Sequence, residues 1–332
     1  MRLLVLGGTV FLGKHVVESA LGRGHEVTLF NRGQTHTNRF PAVEKLVGDR
    51  DGGLDALRGR EFDAVVDTSG YLPRIVSASA ELLKDSVDRY LFVSSVSVYD
   101  GTGLTAVNEQ TPVATIDDPT VEEIDGDTYG PLKALCEQTV ERALPGRTMV
   151  VRPGLIVGPD DPTDRFTYWP VRMAGGGDVV CPEPRDQPCQ VIDVRDLAGW
   201  MVTLLENGTT GVLNGVGPAT PATLGSTIET CADVAGSSPS LHWIGGQFLI
   251  DQGVEPWSDL PMWLGPDPAE HWLDCTDPAP AMAAGLTHRP RAETVADTLA
   301  WHRAAPETGR WGFPMSLQRE AALLSIWQAR GR

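Results

Sequence analysis

Short apolar runs punctuate the first half of the chain: MRLLVLG, HEVTLFN, KLVGD, FDAVVDTSG, RYLFVSS and TMVVRPG. Val and Leu dominate them, with little polar alternation, which suits strands covered on both faces. Between several of them lie stretches with helical spacing, KHVVESALGRG, IVSASAELLKDS and KALCEQTVERALPG. Strands alternating with helices predict an α/β fold, a doubly wound parallel sheet of the Rossmann type. Ligands in such sheets bind beyond the carboxyl ends of the strands. Those ends read GGT, NRG, GDR, TSG, SSVS and RPG, small, polar and rich in Gly.

The pattern changes after about residue 158. Gly and Pro rise, most of the nine Trp fall beyond residue 240, and the strand–helix rhythm fades. GPDDPTDRF, AGGGDVV and CPEPRDQP read as loops, whereas QVIDVRDLAGWMVTLLEN returns to a strand and a helix. ETVADTLAWHRA and LQREAALLSIWQA read as the closing helices. The predicted layout is a nucleotide-binding domain, 1–158 plus 189–217, and a smaller C-terminal substrate-binding part, 159–188 plus 218–332. The Trp-rich stretch from 243 to 272 reads either as a pocket wall or as satellite core packing.

Composition narrows the function. At 332 residues and 41% apolar, the chain can bury a sizeable core in one large domain or two joined ones. No uninterrupted apolar run is long enough for a membrane span. No basic leader precedes the first strand, which argues against a signal peptide and for a cytoplasmic protein. The formal charge of −17, without a cluster of Lys and Arg, argues against a nucleic-acid partner. A small anion can still be held by a few Arg and by helix N-termini. Five dispersed Cys fit neither a disulfide framework nor a zinc site, and the seven His do not fall at metal-ligand spacing. His15, His25 and His36 read as surface residues, and Asp117-Asp118 and Asp160-Asp161 as loop acids.

The first apolar run enters LGGTVFLG, a turn of Gly7, Thr9, Val10, Phe11, Leu12 and Gly13 leading into a helix. It resembles a phosphate-cradling G-x-x-G-x-x-G with Val10 at the central position, so the helix N-terminus must do the holding. The second run ends in Asn31-Arg32, where an acid would bind the 2′-hydroxyl of NAD. A guanidinium suits a 2′-phosphate, which favours NADP, with NAD as the alternative. Asp49 is placed to accept from an adenine amino group, and Arg50, Thr68, Ser69, Gly70 and Pro153 complete the cofactor edge. In TYGPLKALCE, Tyr129 and Lys133 stand four apart, on one helix face. Pro131 places Tyr129 at the helix start. An ammonium beside a phenol lowers the phenol's pKa and makes it a usable acid/base. Ser94, Ser95 and Ser97 end the strand LFV in hydroxyls suited to holding a carbonyl or alcohol oxygen.

Taken together, these residues resemble the extended short-chain dehydrogenase/reductase family, the NAD-dependent epimerase/dehydratase group, and within it a subgroup with GGT-x-F-[LI]-G. The matching segments are GGTVFLG, SSVSVY, Tyr129-x-x-x-Lys133, RPGLIVGP, VIDVRDLA and the closing GLTHRPRAETVADTLAWHR, out to about residue 303. The resemblance implies Tyr129 as acid/base, Lys133 lowering its pKa and binding the nicotinamide ribose, and Ser95 as the third catalytic group. It implies hydride transfer at a hydroxyl or ketone carbon of a small polar molecule, and a homodimer. Ser97, Arg165, Trp169, Arg172 and Arg185 are the candidate substrate contacts. Two places depart from nucleotide-sugar epimerases: Leu155 where they carry Asn, and Cys189, with Arg185 nearby, where an Arg grips the diphosphate. The stretch also lacks the Thr-Asp-Glu run of sugar dehydratases. A sugar epimerase, a non-sugar carbonyl reductase of specialised metabolism and a catalytically silent nucleotide- or RNA-binding relative remain as alternatives.

Overall fold

The computed structural model describes residues 1–304 and 312–330. The first half runs β1 (Arg2–Leu6), α1 (Phe11–Gly22), β2 (Glu26–Asn31), β3 (Glu44–Val47), β4 (Phe62–Asp67), α2 (Pro73–Leu83), β5 (Val87–Val93), α3 (Tyr129–Ala143) and β6 (Thr148–Pro153). Then follow β7 (Leu155–Val157), α4 (Tyr168–Ala174), β8 (Asp178–Pro182), β9 (Pro188–Cys189), β10 (Val191–Asp193), α5 (Val194–Asn207) and β11 (Gly211–Gly215). The chain closes with β12 (Ala222–Thr223), α6 (Leu224–Ala235), β13 (Ser240–Ile244), α7 (Gly246–Asp251), α8 (Ala279–Ala283), α9 (Arg291–Ala304) and α10 (Leu317–Ala329).

The main sheet has seven strands in the order β11-β6-β5-β4-β1-β2-β3, all paired in parallel. It is the doubly wound α/β sheet that the apolar runs predict. On β1, Leu3 and Val5 pack with α1 and α5 on one face, while Leu4 and Leu6 join the core beneath α2 and α3 on the other. Successive side chains point to opposite faces, so a strand covered twice must be apolar throughout.

A second core gathers residues of α4, β8, α6, α7, α9 and α10 around Trp169 and Trp263, both fully buried. The strand–helix rhythm does not stop near residue 158, as the pattern had indicated. β8 pairs in parallel with β13, and β11 returns to the main sheet beside β6. AGGGDVV and CPEPRDQP, read as loops, contain β8, because Val179, Val180 and Cys181 are buried despite the flanking Gly and Pro. All five Cys are unpaired, four of them buried. Among the described residues no helix is long and apolar enough to cross a membrane.

Candidate active site

Strand order reverses between β1 and β4, and the crevice at such a switch point is where these sheets hold ligands. The turn after β1 forms its floor. Left-handed backbone falls on Gly7 (φ 108) and Gly8 (φ 88), and on Phe11 (φ 36) as α1 begins. Val10 is extended, at φ −128, a conformation any residue adopts, so the backbone does not demand glycine there. A Cβ on Gly7 would lie 2.7 Å from Thr68 Oγ1, so the turn packs tightly on the end of β4. Helix α1 starts with no side-chain cap and no carboxylate in its first turn. Its first N–H groups therefore remain available to an anion. The glycine cradle and the uncapped helix fit a dinucleotide pyrophosphate.

Around the crevice, Asn31 donates to the Gly7 carbonyl at 3.1 Å and accepts from the Gly33 N–H at 2.9 Å. Both ends of its amide are thus engaged in bracing the turn. Arg32 is exposed, and no hydrogen bond or ion pair engages it among the described residues. Thr68 and Ser69 donate to the Leu6 carbonyl, and Asp49 accepts from the Asp51 N–H.

The candidate catalytic residues are positioned by α3. Gly130 lets the helix start press on the strand-end hydroxyls: a Cβ there would lie 2.1 Å from the Ser97 carbonyl oxygen. This close approach brings Tyr129 to Ser95. Ser95 accepts from the Ser97 N–H at 3.1 Å and donates to the Ser97 hydroxyl at 3.0 Å. Lys133, 3% exposed, donates to the carbonyls of Gly70 and Val93, each at 2.6 Å. One of its three N–H groups is left for a ligand. Its ammonium lies 4.3 Å from the Phe92 ring and 5.4 Å from that of Tyr71. Burial lowers the Lys133 pKa to about 8.

The Tyr129 phenol departs from expectation. Burial raises its pKa and the neighbouring Tyr71 adds to the rise, while the Ser95 hydroxyl and the charge of Arg165 pull the other way. Lys133 does not bring it below the ordinary value, because the ammonium is directed at backbone carbonyls. Tyr71, with its ring 6.5 Å from that of Tyr129, is a site residue the sequence reading missed. Its only signal was an aromatic residue directly after TSG.

A family model described as the NAD dependent epimerase/dehydratase family matches residues 3–216, from β1 through β11. The chain belongs to that family. Among its relatives, bovine epimerase family protein SDR39U1 is 27% identical over 246 residues, spanning 67% of this chain and 76% of the relative. The fold is similar to that of Thermus thermophilus UDP-glucose 4-epimerase in complex with NAD, with a TM-score of 0.65, 20% identity and coverage of 92% and 100% of the two chains. It is also similar to human epimerase family protein SDR39U1 with NADPH, with a TM-score of 0.61, 22% identity and coverage of 90% and 99%. At these identities the two solved structures speak for the fold alone.

Within this epimerase/dehydratase fold, several residues read as ligand contacts are engaged elsewhere. Arg50 is a correction: its guanidinium grips Asp67 at 2.7 and 2.8 Å and also reaches Ser69 and Ser79. Trp169 is another, wholly buried with its indole N–H on the Pro261 carbonyl at 2.8 Å. Arg172 is a third, bonded to Glu320 and to the carbonyls of Gly176 and Asp178. Arg185 pairs with Glu229 and lies over the Trp243 ring, beside a surface recess of about 460 Å³. Cys189 is buried in the second core. Arg165 stays at the site, over the Trp257 ring at 5.6 Å.

His15, expected on the surface, is 7% exposed and bonds the Pro159 carbonyl at 3.1 Å. The family segments VIDVRDLA and GLTHRPRAETVADTLAWHR meet one another. Thr294 donates to Asp193 at 2.7 Å, and Arg289 to Asp196 at 2.8 Å. Those motif letters fasten α9 to α5.

Proposed function

We propose that this family member is an NADP(H)-dependent oxidoreductase or epimerase acting on a hydroxyl or ketone carbon of a small polar molecule. The observation that carries the reading is Tyr129 beside Ser95, one helical turn before the buried, carbonyl-anchored Lys133. A bound nicotinamide would supply hydride exchange with the substrate carbon. Gly7 to Gly13 and the start of α1 would hold its pyrophosphate, Arg32 a 2′-phosphate, and the spare N–H of Lys133 the nicotinamide ribose. Ser95 holds the substrate oxygen, and Tyr129 gives or takes the proton on it. Burial and Tyr71 hold the Tyr129 pKa above its ordinary value, so the phenol carries its proton at neutral pH, the form that can give it to a carbonyl oxygen. A buried Cys189, and not an Arg, stands at the place where nucleotide-sugar epimerases grip a diphosphate. That favours a substrate without one.

Calorimetric titration with NADPH and NADH tests the frame. NADPH should bind more tightly than NADH, and Arg32→Ala should weaken NADPH about tenfold, the scale of one charge-assisted contact, while sparing NADH. Absence of heat with both cofactors at millimolar concentration would overturn the reading. Steady NADPH consumption in a carbonyl screen, abolished by Tyr129→Phe, separates net reduction from epimerisation, which regenerates its cofactor each turnover.

A further inference from the structure

Four charged groups meet over the phosphate turn without a part in the proposed reaction. Lys14 and His15 come from α1, Arg39 from the segment between β2 and β3, and Asp160 from the loop after β7. Lys14 donates to Asp160 Oδ2 at 2.5 Å, and Arg39 donates to Asp160 Oδ1 at 3.0 Å. The other arm of Arg39 donates to the Thr9 carbonyl, inside the turn, at 2.9 Å. His15 Nε2 stands 3.5 Å from Asp160 Oδ2, and its Nδ1 stands 3.2 Å from Glu18.

Asp160 is held there against resistance. Its backbone is left-handed, at φ 69, a region that Asp and Asn enter more readily than other residues with a Cβ. Burial alone would push its carboxyl up, but hydrogen bonds from His15 and Lys14 and the charges of Lys14 and Arg39 hold it well below the usual carboxylate range. The carboxylate is therefore fully ionised at neutral pH. Glu18 of α1 also pairs with Lys14, at 3.4 Å, but the closer contact to Lys14 and the one to Arg39 come from Asp160, brought in from a distant segment. A carboxylate and a phosphate compete for the same guanidinium and ammonium donors.

We infer that Asp160 is an internal stand-in for a cofactor phosphate, holding Arg39 and Lys14 over the turn until an incoming dinucleotide takes them. The inference rests on the dinucleotide reading given above. It adds a consequence. Exchange of partners would leave the Gly158–Pro159–Asp160 segment held to α1 through the His15 contact with the Pro159 carbonyl, and the chain continues from there to Arg165, whose charge reaches Tyr129. Cofactor binding would thereby loosen the link between α1 and the segment that leads towards Arg165.

Asp160→Asn removes the competing charge and keeps a residue that tolerates left-handed backbone. NADPH should bind the variant about tenfold more tightly, the scale of one charge-assisted contact. The thermal midpoint of the ligand-free variant should fall, and its upward shift with NADPH should exceed that of the wild type. Arg39→Ala should weaken NADPH, and Asp160→Asn should tighten it less in that background, since the pair is coupled. Tightening of NADPH alone identifies the displaced group as the 2′-phosphate, and equal tightening of NADH identifies the pyrophosphate. Unchanged or weaker NADPH binding by folded Asp160→Asn overturns the inference and leaves the dinucleotide reading intact. Wild-type protein that binds neither cofactor removes both.

Discussion

Lys133 holds an ammonium where the fold offers it two carbonyls and two aromatic rings but, among the described residues, no carboxylate within bonding distance. Its pKa, about 8 against an ordinary 10.5, means that the native state sheds this proton before the unfolded chain does. Between those values the unfolded state binds more protons, so stability rises with pH across that window. Below it, a buried charge costs stability. Lys133→Met should therefore raise stability at pH 7 by about 1 kcal/mol, the relief of desolvation less two lost carbonyl bonds. The advantage should shrink as pH climbs from 8 to 10. Urea melts at the two pH values check this, and an advantage that grows with pH would refute the assignment. Ser95, Tyr129 and Lys133 stood out as candidates because spacing and a run of hydroxyls are local signals. The partners of Arg50 and Arg172 did not stand out, because Asp67 and Glu320 lie 17 and 148 residues away in the chain.

At the level of elements, α3 is fixed to β6 by a buried pair. Arg152 donates to both oxygens of Glu137, at 2.9 and 2.6 Å, with its guanidinium 4.8 Å from the Tyr99 ring. Tyr99 in turn donates to Asn214 on β11 at 2.6 Å. This brace sets the angle at which α3 presents Tyr129. Breaking a buried pair strands a charge, so Glu137→Gln should cost about 3 kcal/mol in urea unfolding. Replacing both partners, with Glu137→Leu and Arg152→Met together, should cost far less. Equal losses in the single and double variants would mean that the pair is not the brace. The main strands were readable because two-sided burial makes them apolar throughout. β8 and β13 were not, because β9, β10, α5, β11, β12 and α6 separate them in the chain, and Gly and Pro stand at their borders.

For the molecule as a whole, the segment around residues 268–277 ties the junction of β9 and β10 to the loop after β5. Asp277 donates its N–H to the Val107 carbonyl at 2.9 Å, and Thr276 exchanges two bonds with the Gln190 side chain. Asp274 is buried within it, and burial pushes its carboxyl up to about 7. The native state thus holds a proton that the unfolded chain has lost above about pH 4. Stability falls as pH rises from 4 to 7 and stays reduced beyond. Asp274→Asn should raise the thermal midpoint at pH 8 by several degrees and leave it unchanged at pH 4. Calorimetry at the two pH values decides, and a gain at pH 4 alone would contradict it. The strand–helix rhythm and the Trp-rich tail made two structural parts readable. The cross-ties between them rest on pairings far apart in the chain, which leave no periodicity to read.

The position of β11 at the end of the sheet has a consequence for synthesis. β6 is translated early, but its outer neighbour β11 begins only at Gly211, after α4 and α5 have been made. At ordinary elongation rates the ribosome takes roughly 3–12 s to cover that interval. Throughout it, the nascent chain displays a bare strand of buried-type residues, Met149–Pro153, to any other strand nearby. Yield in the cell should then depend on translation speed and chaperone cover between these two strands, with slow codons there prolonging the exposure.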